Sequence, residues 1–245
     1  MEMSLVALLT DFGVVDPYVG ILKGVLATLA PGVAVIDISH GVPPQEVRVG
    51  ALFLDASWRW FPPGTIYVCV VDPGVGTSRR PVVVRCRDRL FVGPDNGLFG
   101  LLPDPETRAI TAEWGFAERS STFHGRDLFA PVAARLAGGA RFEDVGPLVP
   151  DPCPLALPAP DGNKGEVLYL DAFGNAVTNL PGRAAGRLSF GTSSARVVRT
   201  YGEGPEGDPI ALTGSTGRLE IALRNGNAAE RWRIRPGDQV VWEGS

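Results

Sequence analysis

Apolar positions follow two different rhythms along this chain, and the change of rhythm divides it. Ser4 to Leu9 is an apolar run closed by Thr10-Asp11-Phe12-Gly13, which reads as a strand buried on both faces. Asp16-Pro17 then predicts a helix start, with Asp16 as N-cap and Pro17 at the first helical position. Val19, Leu22, Val25, Leu26 and Leu29 keep helical spacing until Pro31-Gly32. Val33 to Ile38 reads as a second buried strand, closed by Ser39-His40-Gly41. Gln45 to Trp60 reads as a second helix with Val49, Leu52, Phe53 and Ala56 on one face. After Pro62-Pro63-Gly64 comes a third apolar run, Ile66 to Val71, which stops at Asp72. Strand, helix, strand, helix, strand predicts an α/β domain with a mostly parallel central sheet and helical cover.

Beyond Asp72 the runs shorten. Val82–Arg85 and Arg89–Val92 read as two strands joined by a turn. Pro94-Asp95-Asn96-Gly97 is expected to cap a short helix through Leu102, and Arg108 to Glu113 to form another strand. A loop, Ser121 to Asp127, precedes a helix from Leu128 to Leu136 that ends at Gly138-Gly139. Pro147 to Pro160 holds six prolines and reads as a linker. From there the pattern is short alternating runs with almost no helical period: Glu166–Leu170, Arg187–Phe190, Ala195–Thr200, Pro209–Leu212, Arg218–Leu223 and Gln239–Trp242. Such spacing predicts a small all-β, barrel-like domain. The expected organisation is an α/β domain over 1–150, a proline-rich linker over 151–164 and the barrel-like domain over 165–245.

Composition narrows the classes of function. Hydrophobic residues make up 44% and charged residues 20%, an ordinary globular balance. A net charge of −4 without a basic run argues against nucleic acid as partner. No stretch approaches the roughly 18 apolar residues of a membrane span, and Leu5–Leu9 has no basic flank of a leader peptide. The three cysteines are far apart without a CxxC pattern, and two histidines cannot make a three-histidine metal site. A cytoplasmic, metal-free protein is expected.

Candidate chemistry centres on Asp72. A carboxylate at the C-terminal end of a buried strand, in a glycine-rich loop, stands where open α/β sheets place their ligands. It equally suits a turn residue whose carboxylate satisfies backbone N–H groups. Gly74-Val75-Gly76 fails the GxGxxG spacing and leads into a strand, which argues against a Rossmann cofactor loop. Asp11-Phe12-Gly13 lacks the other kinase signatures. Asp11 is either part of a strand-to-helix turn or a carboxylate accepting two hydroxyls of a ribose diol. His124 either fills a turn before Gly125 or belongs to the site. His40 reads as structural, and Arg80 as a solvated charge.

Taken together and in order, TDFG, DPYVGILKGVL, DISHGVPP, VVDPGVGTSRR, GPDNGLFG, FHGRD, DAFGNAVTNL and LEIALRNGNAA make nearly the whole chain resemble the S-adenosyl-L-methionine hydroxide adenosyltransferase family. That family shares its fold with the fluorinase and chlorinase. The resemblance implies S-adenosyl-L-methionine as substrate, no cofactor, and a homotrimer whose sites lie between the N-terminal domain of one subunit and the barrel of the next. It implies a catalytic set of Asp72, Arg79 and His124. Asp11 would hold the ribose diol, Asp16 would add a polar contact, and Phe123 would lie beside the ribose. Asp171, Phe173 and Asn175 would surround the methionine and adenine ends, with Ser215, Asn227 and Ala228 touching the substrate's ends. The family's usual Asn-Ser-Phe-Gly-Tyr is replaced by Gly214-Ser215-Thr216-Gly217-Arg218, which removes two aromatics near adenine; Tyr201 is a candidate for the stacking face. A carboxylate at Asp72 would repel halide, so hydrolysis is favoured over a halide-dependent adenosyl transfer. A non-catalytic binder of the same molecule is the remaining alternative.

Overall fold

The computed structural model describes residues 5–244. Ser4, where the first strand was expected to begin, and Ser245 lie outside them. The chain divides into two units, Met1–Ala156 and Leu157–Ser245.

In the first unit, β1 (Leu5–Thr10), β2 (Ala34–Ser39), β3 (Ile66–Val70), β4 (Pro81–Cys86), β5 (Arg89–Pro94) and β6 (Glu106–Ala109) form one sheet in the order β2-β1-β3-β5-β4-β6. The first four strands pair in parallel, while β5–β4 and β4–β6 pair antiparallel. The sheet is therefore mixed and not mostly parallel. The reversal comes from the β4–β5 hairpin, whose second strand adds to β3 while its first lies between β5 and the edge strand β6. As an edge strand, β2 is half exposed, with Ile36 46% exposed, in contrast to the buried strand its composition suggested.

Alternation along the central strands feeds two cores. Val6, Leu8, Val68 and Val70 pack with Leu22 and Leu26 of α1 (Tyr18–Leu29) and Val132 and Leu136 of α3 (Ala130–Ala137). On the other face Tyr67 and Phe91, paired across β3 and β5, stack at 4.5 Å. Trp58 meets Phe91 edge-on there and accepts the Tyr67 hydroxyl proton at its carbonyl. Trp58 begins a 3-10 turn that follows α2 (Val47–Ser57). Gly50 of α2 packs so closely on Leu98 and Val71 that a methyl group there would crowd both.

Several boundaries differ from those expected. Pro17, not Asp16, caps α1, and no side chain bonds to its N-terminus. Residues 97–102 form turns instead of a helix, because the Asn96 side chain is used to bridge Val71 O and Leu98 N. The strand expected to run to Glu113 ends at Ala109 and gives way to a 3-10 turn. The helix expected from Leu128 is a π-helical turn, Gly125–Phe129, continued by α3. The proline-rich stretch is partly docked: Cys153 N donates to Asp95 Oδ1, and Arg80, far from being a free charge, pairs with Asp95 and Asp151.

The second unit is a closed barrel of β7 (Lys164–Leu170), β8 (Ala176–Pro181), β9 (Arg187–Phe190), β10 (Ser193–Val198), β11 (Pro209–Thr213), β12 (Arg218–Leu223) and β13 (Gln239–Glu243), in the order β10-β11-β12-β8-β7-β13-β9. Strand β8 and the short helix α4 (Ala228–Trp232) were not foreseen. Closure leaves no edge unpaired, and Val167, Leu180, Leu188, Leu219, Ile221 and Val240 fill the interior.

Candidate active site

The order β2-β1-β3 reverses direction at β1, so the carboxyl ends of β1 and β3 flank a topological switch point, where α/β sheets leave a crevice. Thr10 is in register with Val70. The residues that follow each strand, Asp11 and Val71-Asp72, therefore emerge side by side. A cleft of about 380 Å³ opens there, with Asp11, Phe12, Tyr18, Asp72, Phe123 and His124 in its wall.

Two further elements bring His124 to Asp72. Gly76 holds a positive φ of 76°, and a Cβ there would collide with the Ser121 carbonyl, so only glycine lets the Asp72 loop lie against the 120–124 segment. Asp127 braces that segment: its Oδ2 accepts the Ser120 N–H at 2.8 Å, and Arg126 pairs with its carboxylate. His124 stands immediately before the π-helical turn, a local widening that often accompanies functional sites.

Arg79 Nε donates to Asp72 Oδ1 at 2.9 Å and Oδ2 at 3.1 Å, and its Nη2 also donates to Oδ2. The same Nη2 lies 2.8 Å from His124 Nδ1. A guanidinium has only donors, so Nδ1 accepts and the neutral ring carries its proton on Nε2. Partial burial, then the Arg79 charge, hold the His124 pKa below its ordinary value, which favours that neutral ring. Asp72 and Arg79 are nearly enclosed, at 5% and 9% side-chain exposure. Arg79 itself does not line the cleft; it reaches Asp72 while its guanidinium rests 5.4 Å over Phe129. Asp11 Oδ2 accepts the Gln45 N–H at 2.8 Å, while burial raises the Asp11 pKa, with the Asp72 charge adding to the rise. Phe12, Tyr18 and Phe123 meet edge to face at 5.3–6.0 Å, making an aromatic wall suited to a ribose or thioether. Asp16 is exposed and outside this wall. His40 is buried, with Nδ1 2.8 Å from Thr10 Oγ1 and Nε2 3.1 Å from Asp37.

In the barrel, the β7–β8 hairpin carries Asp171, Phe173 and Asn175. Asp171 Oδ1 accepts the N–H groups of Phe173 and Asn175, and Oδ2 accepts Asn175 Nδ2, all at 2.8–2.9 Å. Asn175 Nδ2 also donates to the Tyr201 hydroxyl at 3.3 Å. Phe173, Asn175 and Tyr201 line a second cleft of about 550 Å³ with Leu223, Arg224 and Asn225. Phe173 is 79% exposed. Asn227 packs against Gly174 and caps α4, accepting the Glu230 N–H at 2.9 Å, and Ala228 is fully buried. Ser215 is exposed on the turn between β11 and β12 and outside this cleft. Sequence reasoning missed Phe12 and Tyr18 as wall residues, although both lie in quoted motifs.

Residues 6–146 match the SAM hydroxide adenosyltransferase N-terminal domain and residues 165–241 the C-terminal domain of the same family. The chain belongs to that family. A Thermus thermophilus protein named (R)-S-adenosyl-L-methionine hydrolase is 46% identical, over 97% of this chain and 99% of its own. The crystal structure of a conserved protein from Thermotoga maritima superposes with a TM-score of 0.89 at 34% identity, covering 97% of this chain and 100% of that one. A fluorinase from an Actinoplanes species is more distant, at 25% identity over 97% of this chain and 96% of its own. No helix among the described residues is long and apolar enough to cross a membrane.

Proposed function

We propose that this family member hydrolyses S-adenosyl-L-methionine to adenosine and L-methionine. Water attacks ribose C5′, the C5′–sulfur bond breaks, and the bonding pair leaves on sulfur as a neutral thioether. The leaving group needs neither a proton nor a metal, so the reaction needs no cofactor. The demanding part is the water, which gains positive charge as it bonds to carbon. Asp72, positioned by its hydrogen bonds from Arg79, offsets that charge or accepts the proton. Arg79 and His124 orient the water, with Arg79 acting chiefly through Asp72. Asp11 accepts the ribose hydroxyls, and Phe123 packs beside the ring. Phe173, Asn175 and Tyr201 form a wall for adenine, and the Asp171 hairpin faces the methionine end. Ala228 and Asn227 act by shaping the hairpin, since the one is buried and the other spends its carbonyl on α4. Asp16 and Ser215, both exposed, are assigned to the substrate's periphery.

The observation that carries this reading is the juxtaposition of Asp72 and His124 with Asp11 in one cleft, with Arg79 bridging Asp72 and His124 from behind its wall. A fixed carboxylate is poor company for a halide, which favours water over fluoride or chloride as nucleophile. By family resemblance, the N-terminal cleft of one copy and the barrel of a neighbour enclose the substrate in a cytoplasmic homotrimer, so turnover per chain should fall on dilution.

The test is incubation with S-adenosyl-L-methionine, supplied in both configurations at sulfur because the relatives' names specify (R), with and without fluoride or chloride. Adenosine released independently of halide is expected. A 5′-halogenated nucleoside, or tight binding without turnover, would overturn the proposal.

A further inference from the structure

His40 is a buried side chain without a task in the proposed reaction. It follows Ser39, the last residue of β2, which is in register with Leu9 of β1, and only 6% of it is exposed. Its ring links the two strands. Nε2 lies 3.1 Å from Asp37 Oδ1, within ion-pair reach but not aligned for a hydrogen bond. Nδ1 lies 2.8 Å from Thr10 Oγ1. Asp37 is itself held by Lys23, whose Nζ meets its other oxygen at 2.7 Å. Burial opposes it, but that bond, and then His40, keep the Asp37 pKa below its ordinary value. A carboxylate beside Nε2 draws the proton of the neutral ring to that nitrogen, which leaves Nδ1 to accept the Thr10 hydroxyl proton. Thr10 Oγ1 in turn accepts the Phe12 N–H at 3.2 Å, and the His40 carbonyl accepts the Gly13 N–H at 2.8 Å. One residue thus fastens both ends of the Thr10–Gly13 turn. Between those ends stand Asp11 and Phe12, both in the wall of the cleft.

We propose that His40 is a positioning residue for the reaction: through Thr10 it fixes the Asp11 carboxylate where that group accepts the 2′- and 3′-hydroxyls of the ribose. The inference rests on the hydrolase reading above and deepens it by naming what aims the diol-binding carboxylate. Asp11 lies just past the end of β1, where the sheet reaches it only through a 3.4 Å bond from its N–H to Val70 O. A side chain in that place needs a brace from behind. The Gln45 N–H, on the same β2–α2 connection as His40, supplies a second one at Asp11 Oδ2. Thr10 is fully buried, so no water takes the place of the ring if it is removed. A ribose held through its diol keeps C5′ in line with the water beside Asp72, and a small displacement of the carboxylate loses that alignment.

The experiment measures two quantities on the wild type, His40→Leu, His40→Asn, Thr10→Val and the double variant of His40→Leu with Thr10→Val. One is kcat/KM for S-adenosyl-L-methionine; the other is calorimetric affinity for adenosine and for 2′,3′-dideoxyadenosine. Leucine keeps the bulk and removes both ring nitrogens, whereas asparagine carries an oxygen where Nδ1 stood. His40→Leu is expected to lower kcat/KM about tenfold and to weaken adenosine by a similar factor, as for a lost hydrogen bond. Dideoxyadenosine has no diol for Asp11 to hold, so its affinity should stay within about twofold. Thr10→Val should reproduce these losses, the double variant should add nothing to them, and His40→Asn should recover most of what leucine loses.

A histidine that only fills space would weaken both nucleosides alike, and the smaller asparagine would not rescue it. Equal weakening of the two nucleosides, additive losses in the double variant, or failure of asparagine to rescue would each overturn the proposal. If His40→Leu does not fold, Thr10→Val carries the same comparison. If the wild type releases no adenosine from S-adenosyl-L-methionine, the hydrolase reading fails, and the two nucleosides still decide the role of His40. A wild type that binds both nucleosides equally, or neither, would refute the proposal whatever its turnover.

Discussion

Asp72 in the N-terminal unit and Glu220 in the barrel are both shielded from water, yet they stand in opposite circumstances. Asp72 is met by a guanidinium that donates to both of its oxygens and ties it to His124. Glu220 is met by the like charge of Asp171. Burial alone therefore does not decide what a carboxylate does; its partners do. Asp72 is held in place by Arg79 before any ligand arrives. Burial and the Asp171 charge push the Glu220 pKa up to about 7, so its protonation changes with pH near neutrality.

That contrast can be broken most forcefully at Arg79. Arg79→Met leaves the enclosed Asp72 charge without its counter-ion, and the unfolding free energy should drop by about 3–5 kcal/mol. Denaturant titration checks this, and a change under about 1 kcal/mol would mean that Asp72 is solvated after all. A smaller effect is expected from acid. Folded His124 resists protonation below the ordinary histidine value of 6.5, so the unfolded chain takes up the proton first. Stability is then present above that value and lost as the pH falls through the lower folded one. His124→Gln should flatten this part of the melting profile, and an unchanged slope would place its origin elsewhere. The smallest effect belongs to Asn227, whose side chain caps α4. Asn227→Ala should lower stability by about 1 kcal/mol, read by thermal melting. A large loss of turnover at unchanged stability would instead return Asn227 to direct contact with substrate.

The first three strands and two helices were legible because their apolar runs are long and bounded by Pro, Gly and Asp. Asp72 could be singled out because a buried strand ends on it. The mixed character of the sheet was not legible: which side of a short hairpin joins β3 is settled by tertiary packing, not by local pattern. Strand β8 was hidden because Ala176–Pro181 continues a motif that reads as loop chemistry. Asp16 looked like a cap on spacing alone, but Pro17 supplies the carbonyl that opens α1. Resemblance supplied the pairing of Arg79 with His124, which no spacing rule could give across 45 residues. Glu220 escaped because a single acid in an alternating strand looks like a solvent-facing position. Only barrel closure and the Gly214 turn enclose it.

The most direct test of the central claim, that Asp72 directs water onto C5′, is turnover in ¹⁸O-labelled water by the wild type and Asp72→Asn. The account predicts ¹⁸O in the 5′-hydroxyl of adenosine and none in methionine, with the rate in Asp72→Asn reduced by at least about a hundredfold. Adenosine without the label, or undiminished labelled turnover in the variant, would contradict it.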